Sequence, residues 1–301
     1  MKRQFTFNTS QLCQLTPFKE IQFKDIEIYQ VTTIDDPVPN SIYFPKNFSE
    51  NLISQLEKIT LSLIILPDIA REYELGLVHE SNSVIYSANP RLDYAIIIQY
   101  ILEMEKKDLQ YKISDYFITK GEDVEIGKHT IIDPFVFLDH GVKIGDKCTI
   151  KSGVRIGPRV QIGDHTTIRE NSVIGGQGFG VERSENNQTM KIPHIGGVQI
   201  GSYVEIGAIN TVVTGTIKPT IIGDYVKTDD HVHIAHNCKI GRGTLITACA
   251  ELSGSVTIGK NGWIGPNTSL MNGITLGNEI MVGLGAVVTK SFGDNEVLLG
   301  N

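Results

Sequence analysis

From Ile126 onward an aliphatic residue returns every sixth position: Ile126, Ile132, Leu138, Ile144, Ile150, Ile156, Ile162, Ile168 and Ile174. The frame breaks, resumes at Ile200, Ile206 and Val212, breaks again, and then runs from Ile222 to Val288. Of its twenty-four positions all but Thr228 are Ile, Leu or Val. Six matches neither the 3.6 period of a helix nor the period of two of a strand. It fits a short strand and a turn, repeated. Gly follows many anchors (Gly127, Gly145, Gly241, Gly259), and that Gly is expected to permit the turn. Four positions after the anchor stands a small or β-branched residue, such as Val136, Cys148, Val154 or Ala250, which fills a corner. Three sides close one coil of about 18 residues, so the run predicts eight stacked coils of parallel strands, roughly 38 Å tall.

Composition narrows the class. Lys plus Arg number 27 and Asp plus Glu 34, a net charge of −7, which argues against general nucleic-acid binding. The longest apolar runs, such as Leu61–Leu66, are too short for a membrane span, and Met1–Gln4 opens no signal peptide. The four cysteines (13, 148, 238, 249) have no paired spacing, so neither a disulfide scaffold nor a zinc ribbon is expected. These features predict a cytoplasmic protein.

No hexad pattern precedes about residue 120. Residues 1–112 read as a small α/β domain, 113–292 as the prism and 293–301 as a tail. In the first domain Asn8-Thr9-Ser10 is a helix cap, Ile26–Thr33 and Leu61–Leu66 are strands, and Phe48–Ile59 and Arg91–Lys107 are helices. A linker is expected near Tyr111–Lys120. The frame breaks at 174–200 and 213–221 read as loops leaving the prism, where sites tend to be built. The first carries Gly175-Gly176-Gln177-Gly178-Phe179-Gly180, which opens no helix and so is no dinucleotide fingerprint.

The densest cluster of chemistry is His231-Val232-His233-Ile234-Ala235-His236-Asn237-Cys238, with three of the chain's eight histidines beside Asp229 and Asp230. All three should face outward. They are either solvated surface groups or, at least for one, a functional imidazole that titrates near neutrality. One coil above His236 stands Gly254, in Ser253-Gly254-Ser255. It is either an ordinary turn glycine or an open N–H. An imidazole and a bare N–H on neighbouring coils suit acyl transfer.

The repeats resemble the left-handed parallel β-helix of the hexapeptide-repeat acyltransferases. More closely, Gly175–Gly180, Lys191-Ile192-Pro193-His194-Ile195-Gly196, Val204–Ala208, Ile234-Ala235-His236-Asn237 and Ser253–Ser255 are similar in order and spacing to the UDP-3-O-(3-hydroxyacyl)glucosamine N-acyltransferase family. The resemblance covers about residues 113–290. It implies a cytoplasmic homotrimer with active sites between prisms. It implies acyl transfer from a thioester on acyl carrier protein or coenzyme A to the amine of a UDP-linked amino sugar, as in lipid A or surface-polysaccharide biosynthesis, with no cofactor and no metal. His236 would be the general base, Gly254 the oxyanion donor and Asp229 the group that orients the imidazole. Phe44 and Phe48 would hold the uracil, or merely pack the core. Phe179, Lys191, His194 and Asn237 would contact substrate. His231 and His233 have no assigned role. The chain departs from the family in three places. It has Thr211-Val212-Val213-Thr214-Gly215 where the family has an Asp-Arg pair, no His after His236, and an end at Asn301 without the helical extension. Two other classes share the prism: γ-type carbonic anhydrases, which bind zinc with three histidines across a subunit interface and for which His194, His231 and His236 are the candidates, and non-catalytic scaffolds.

Overall fold

The computed structural model describes residues 5–18, 23–45, 48–106, 112–113 and 117–299. The chain forms two compact units: Met1–Asp108 together with Phe179–Pro193, and Leu109–Gly178 together with His194–Asn301. Among the described residues no helix is long and apolar enough to cross a membrane.

The first unit is a small α/β fold. Four parallel strands lie in the order Gln30–Val31, Ser41–Tyr43, Leu63–Pro67, Ser83–Ser87. Parallel neighbours require crossovers, and the helices Ile53–Leu56 and Gly76–Ser81 lie on two of them. Helix Pro90–Lys106 follows the last strand, close to the expected span, with Asn89 Oδ1 accepting from the Leu92 N–H. Asn8 caps Thr9–Gln14 in a capping box with Gln11, although the segment is a 3-10 helix. The expected helix 48–59 shrinks to a 3-10 turn, Glu50–Leu52, and one turn of α-helix; Ser49 at its start makes no side-chain cap. The expected strand 26–33 is two short pieces, Glu27–Ile28 and Gln30–Val31, in different sheets. The first excursion contributes an antiparallel hairpin, Val181–Arg183 with Thr189–Lys191, rather than a plain loop.

The second unit is a left-handed parallel β-helix with sheets of eight, nine and ten strands. Strands pair one coil apart: Thr149–Ile150 lies beside Thr167–Ile168, and Lys239–Ile240 beside Thr257–Ile258. The anchors point inward and, with the small residues four places later, make one continuous core from Val136 to Val288. Thr119–Lys120 and Val297–Leu298 extend the ladder beyond the expected eight coils, the latter by pairing with Met281–Val282. In the expected linker, Lys112–Ile113 pairs antiparallel with Thr119–Lys120. Tyr111 and residues 114–116 lie outside the described residues. The anchors stay in register across both excursions, since Ile162 pairs with Ile200 and Ile200 with Ile222.

The turn glycines serve a different purpose from the expected one. The left-handed backbone conformation falls three places after the anchor, on residues such as Tyr203 (φ 60°), His231 (59°) and Asn237 (61°). The glycine directly after the anchor is needed because coils meet there: a Cβ on Gly241 would fall onto the carbonyl of Gly259. Close packing between coils, rather than turn conformation, selects it.

Candidate active site

Along one corner of the prism, four strands of the ten-stranded sheet succeed one another: Val173–Gly176, Thr211–Val213, His233–Ile234 and Glu251–Leu252. Each runs into a turn, and these turns carry the sequence motifs. A bulge between Ile174 and Gly176 starts the first excursion, and His194 returns from it.

At several other corners of the prism the residue two places after the anchor caps the coil below. Asp146 Oδ1 accepts from the Lys128 N–H at 2.6 Å, Asp224 Oδ1 from the Ser202 N–H at 2.8 Å, and Asp230 Oδ1 from the Ala208 N–H at 2.8 Å. Above His236 that position is Gly254, which has no side chain. The imidazole fills the space: a Cβ on Gly254 would lie 2.5 Å from His236 Cε1 and 2.6 Å from Nε2. Gly254 is therefore no ordinary turn glycine. Its N–H donates to no described residue.

His194 is seated in the same way. It is buried, 3% exposed, in a space that only Gly178 leaves open, since a Cβ there would come within 2.6 Å of its Nε2. The side chain of Gln177 clamps its backbone: Oε1 accepts from the His194 N–H and Nε2 donates to the His194 carbonyl, both at 2.9 Å. The two imidazoles meet edge to face, with centroids 5.0 Å apart and planes at 64°. Asn237 completes the cluster. Its Oδ1 accepts from the Thr216 N–H at 2.8 Å, and its Nδ2 lies 3.1 Å from His236 Nδ1 and 3.2 Å from Thr216 Oγ1.

The structure thus brings His236, Gly254, His194 and Asn237 together. It does not bring Asp229 to His236, which corrects the orienting role expected from the sequence. Asp229 follows strand Lys227–Thr228 in a different sheet and turns another corner of the coil, where its Oδ1 accepts from the Asp230 N–H. His231 shares that corner. His233 lies on the strand, its Nδ1 2.6 Å from Thr211 Oγ1. Within one chain His194, His231 and His236 therefore do not converge, and among its described residues no group of three could hold a metal ion. Gln177, Gly178 and Thr216 are the partners that sequence reasoning missed. The first two stood in a quoted motif, but their pairing with His194 depends on the excursion's return.

Phe44, Phe48, Phe179 and Lys191 belong to the other unit. Phe44 is half-buried and stacks on buried Tyr94 at 4.2 Å, while Phe48 meets Tyr73 edge-on at 5.2 Å. Each keeps part of its surface open. Phe179 is 91% exposed at the root of the hairpin, and Lys191 is exposed on its second strand.

Comparison with known proteins agrees with this architecture. Residues 123–158, 141–176 and 219–254 match the model for bacterial transferase hexapeptide (six repeats), and residues 255–290 match the hexapeptide repeat of succinyl-transferase. The second unit is a hexapeptide-repeat prism. Over 123 residues the chain is 37% identical to UDP-3-O-acylglucosamine N-acyltransferase of Bordetella parapertussis, covering 40% of this chain and 34% of that one. The enzyme of the same name from Campylobacter curvus is 34% identical over 116 residues, covering 38% of this chain and 37% of that one. The matched stretch spans about a third of these relatives' length. Among solved structures, UDP-N-acetylglucosamine acyltransferase from Campylobacter jejuni superposes with a TM-score of 0.56 at 25% identity, covering 63% of this chain and 72% of that one. The corresponding acyltransferase of Bacteroides fragilis gives 0.54 at 26%, covering 60% and 68%. The resemblance to UDP-3-O-acylglucosamine N-acyltransferases read from the motifs is thus found independently.

Proposed function

We propose that the chain is an N-acyltransferase that moves an acyl group from a thioester, on acyl carrier protein or coenzyme A, to the amine of a UDP-linked amino sugar, as a step toward lipid A or a surface polysaccharide. The observation that carries this reading is the imidazole of His236 seated on the bare backbone of Gly254. In the reaction the amine nitrogen attacks the thioester carbonyl, a C–N bond forms, the C–S bond breaks, and the amine's proton ends on the thiol. A preorganised N–H beside the carbonyl oxygen stabilises the charge that develops there. His236 is the side chain at that carbonyl, and no cofactor or metal is required. In the first unit, Phe44 or Phe48 stacks on the uracil, an interaction worth about 1–3 kcal/mol per base. Phe179 and Lys191 supply further contacts to substrate. The names of the relatives support the substrate class.

The protein acts in the cytoplasm as a homotrimer. In support of assembly, Leu245, Trp263, Met281 and Val297 form an in-register exposed apolar ladder on the outside of the nine-stranded sheet. Incubating the protein with a panel of UDP-amino sugars and acyl donors, and weighing the products, tests the reaction; no acylated sugar from any pair would refute it. Light scattering that gives a monomer at micromolar concentration would refute the assembly.

A further inference from the structure

We propose that helix Pro90–Lys106 couples the nucleotide end of the first unit to the imidazoles at the prism corner, with the hairpin Val181–Lys191 as the connecting arm and Arg91 and Gln99 as positioning residues. The link starts at Phe44, whose ring stacks on Tyr94 at 4.2 Å with the planes 24° apart. Tyr94 lies in that helix and is fully buried. A change in the pose of Phe44 is therefore passed to the helix, because a close-packed contact transmits strain instead of absorbing it. The same helix fastens both strands of the hairpin. Arg91 Nε lies 3.8 Å from Glu182 Oε2 on the first strand, and Gln99 Nε2 donates to the Lys191 carbonyl on the second. The arm is stiffened by its own pairing, with Val181 opposite Lys191, Glu182 opposite Met190, and the Ile192 N–H donating to the Gly180 carbonyl at 2.8 Å.

The two feet of the hairpin decide what the link reaches. The segment that belongs to the first unit is Phe179–Pro193, and the residues on either side of it are Gly178 and His194. These are the two halves of one fit: Gly178 leaves the space that the His194 ring fills. Gln177 clamps the His194 backbone, and the ring meets His236 edge to face at 5.0 Å. A displacement of the arm therefore moves the glycine and the imidazole seated on it together, and with them the contact to His236. Arg91 and Gln99 touch no reacting group; they set where the arm stands. An exposed pair such as Arg91–Glu182 adds little to stability, so its loss is read in geometry rather than in unfolding. The nucleotide end of the link rests on the uracil reading of Phe44; the arm from the helix to His194 does not.

The test is NMR of the histidine ring C–H signals in the full chain, with His194 and His236 assigned by the loss of each signal in His194→Gln and His236→Gln. Arg91→Glu sets like charges against the first strand. It is expected to shift the His194 signal and to lower kcat about tenfold with little change in KM, while thermal unfolding stays the same. Combining it with Glu182→Arg restores the pair in reverse and should recover both the signal and the turnover. If Arg91→Glu does not fold, Arg91→Ala with Gln99→Ala takes its place. Saturating UDP should shift both imidazole signals in the wild type. In Arg91→Ala with Gln99→Ala that shift should disappear although calorimetry shows UDP still bound. A His194 signal that Arg91→Glu leaves unmoved overturns the arm, as does a reversed pair that recovers nothing. UDP that binds without moving the signals, or moves them equally in the double variant, overturns the coupling. If UDP does not bind, or the wild type acylates no sugar, the functional reading falls, while the response of His194 to Arg91→Glu still decides the arm.

Discussion

Two corners of one coil, six residues apart in sequence, have the same backbone and opposite uses. At Asp229-Asp230-His231 the middle residue reaches down to the Ala208 N–H and across to Arg169 at 3.0 Å, while Asp229 accepts from its neighbour's N–H. At Ala235-His236-Asn237 the middle residue instead lies against the coil above, because Gly254 leaves that space empty. Both corners place their third residue in the left-handed conformation, His231 at 59° and Asn237 at 61°. The backbone of the repeat is therefore indifferent to function. A corner whose polar side chain satisfies an N–H of the adjacent coil is sealed. A corner facing a glycine gives that space to an imidazole instead.

The sharpest way to break this contrast is to remove the imidazole or its seat. His236→Ala is expected to lower kcat by at least about 10²-fold, with the oligomeric state and substrate affinity little changed. Gly254→Ala should do comparable harm, because its Cβ would displace the ring, while thermal unfolding shows the prism intact. Turnover that disappears with a chelator and returns with zinc would assign the histidines to a metal instead. The Gly178→Ala substitution acts one step further out by pushing on His194, and about a tenfold loss in kcat is expected from misplaced groups. The sealed corner should respond in the other currency: Asp230→Ala ought to cost about 1 kcal/mol in denaturant unfolding and leave turnover unchanged. If Asp230→Ala instead abolishes activity, the two corners are not functionally distinct. The smallest effect concerns the thiols. Cys238 fills a core slot, and burial pushes its thiol up to about 12; burial also raises Cys148. An alkylating agent at neutral pH should label exposed Cys13 and Cys249 in the native protein and reach the other two only after unfolding.

The first unit was harder to read than the prism for a physical reason. In the prism each anchor repeats an identical inward slot, so one error in twenty-four positions does not obscure the period. In the α/β unit each element is specified once. Strand Leu63–Pro67 and helix Pro90–Lys106 were legible from long apolar patterning, whereas the segment from Phe48 to Ile59 split into two short turns. The turn glycines were found by sequence but explained wrongly, because the neighbouring coil that excludes a Cβ is eighteen residues away.

The candidate site divides along the same line. His236 and Gly254 are separated by one coil, so the period alone placed them together. His194 lies on the return of an excursion whose path no period describes, and only the folded chain seats it on Gly178 beside His236. Asp229 was close in sequence and is remote in use, since a prism corner turns the chain onto another face. What the sequence by itself determined was the repeat and everything its fixed spacing superimposes. The tertiary structure alone decided which N–H each side chain caps and which corner lies against a glycine. Those outcomes depend on contacts between residues that no regular interval relates.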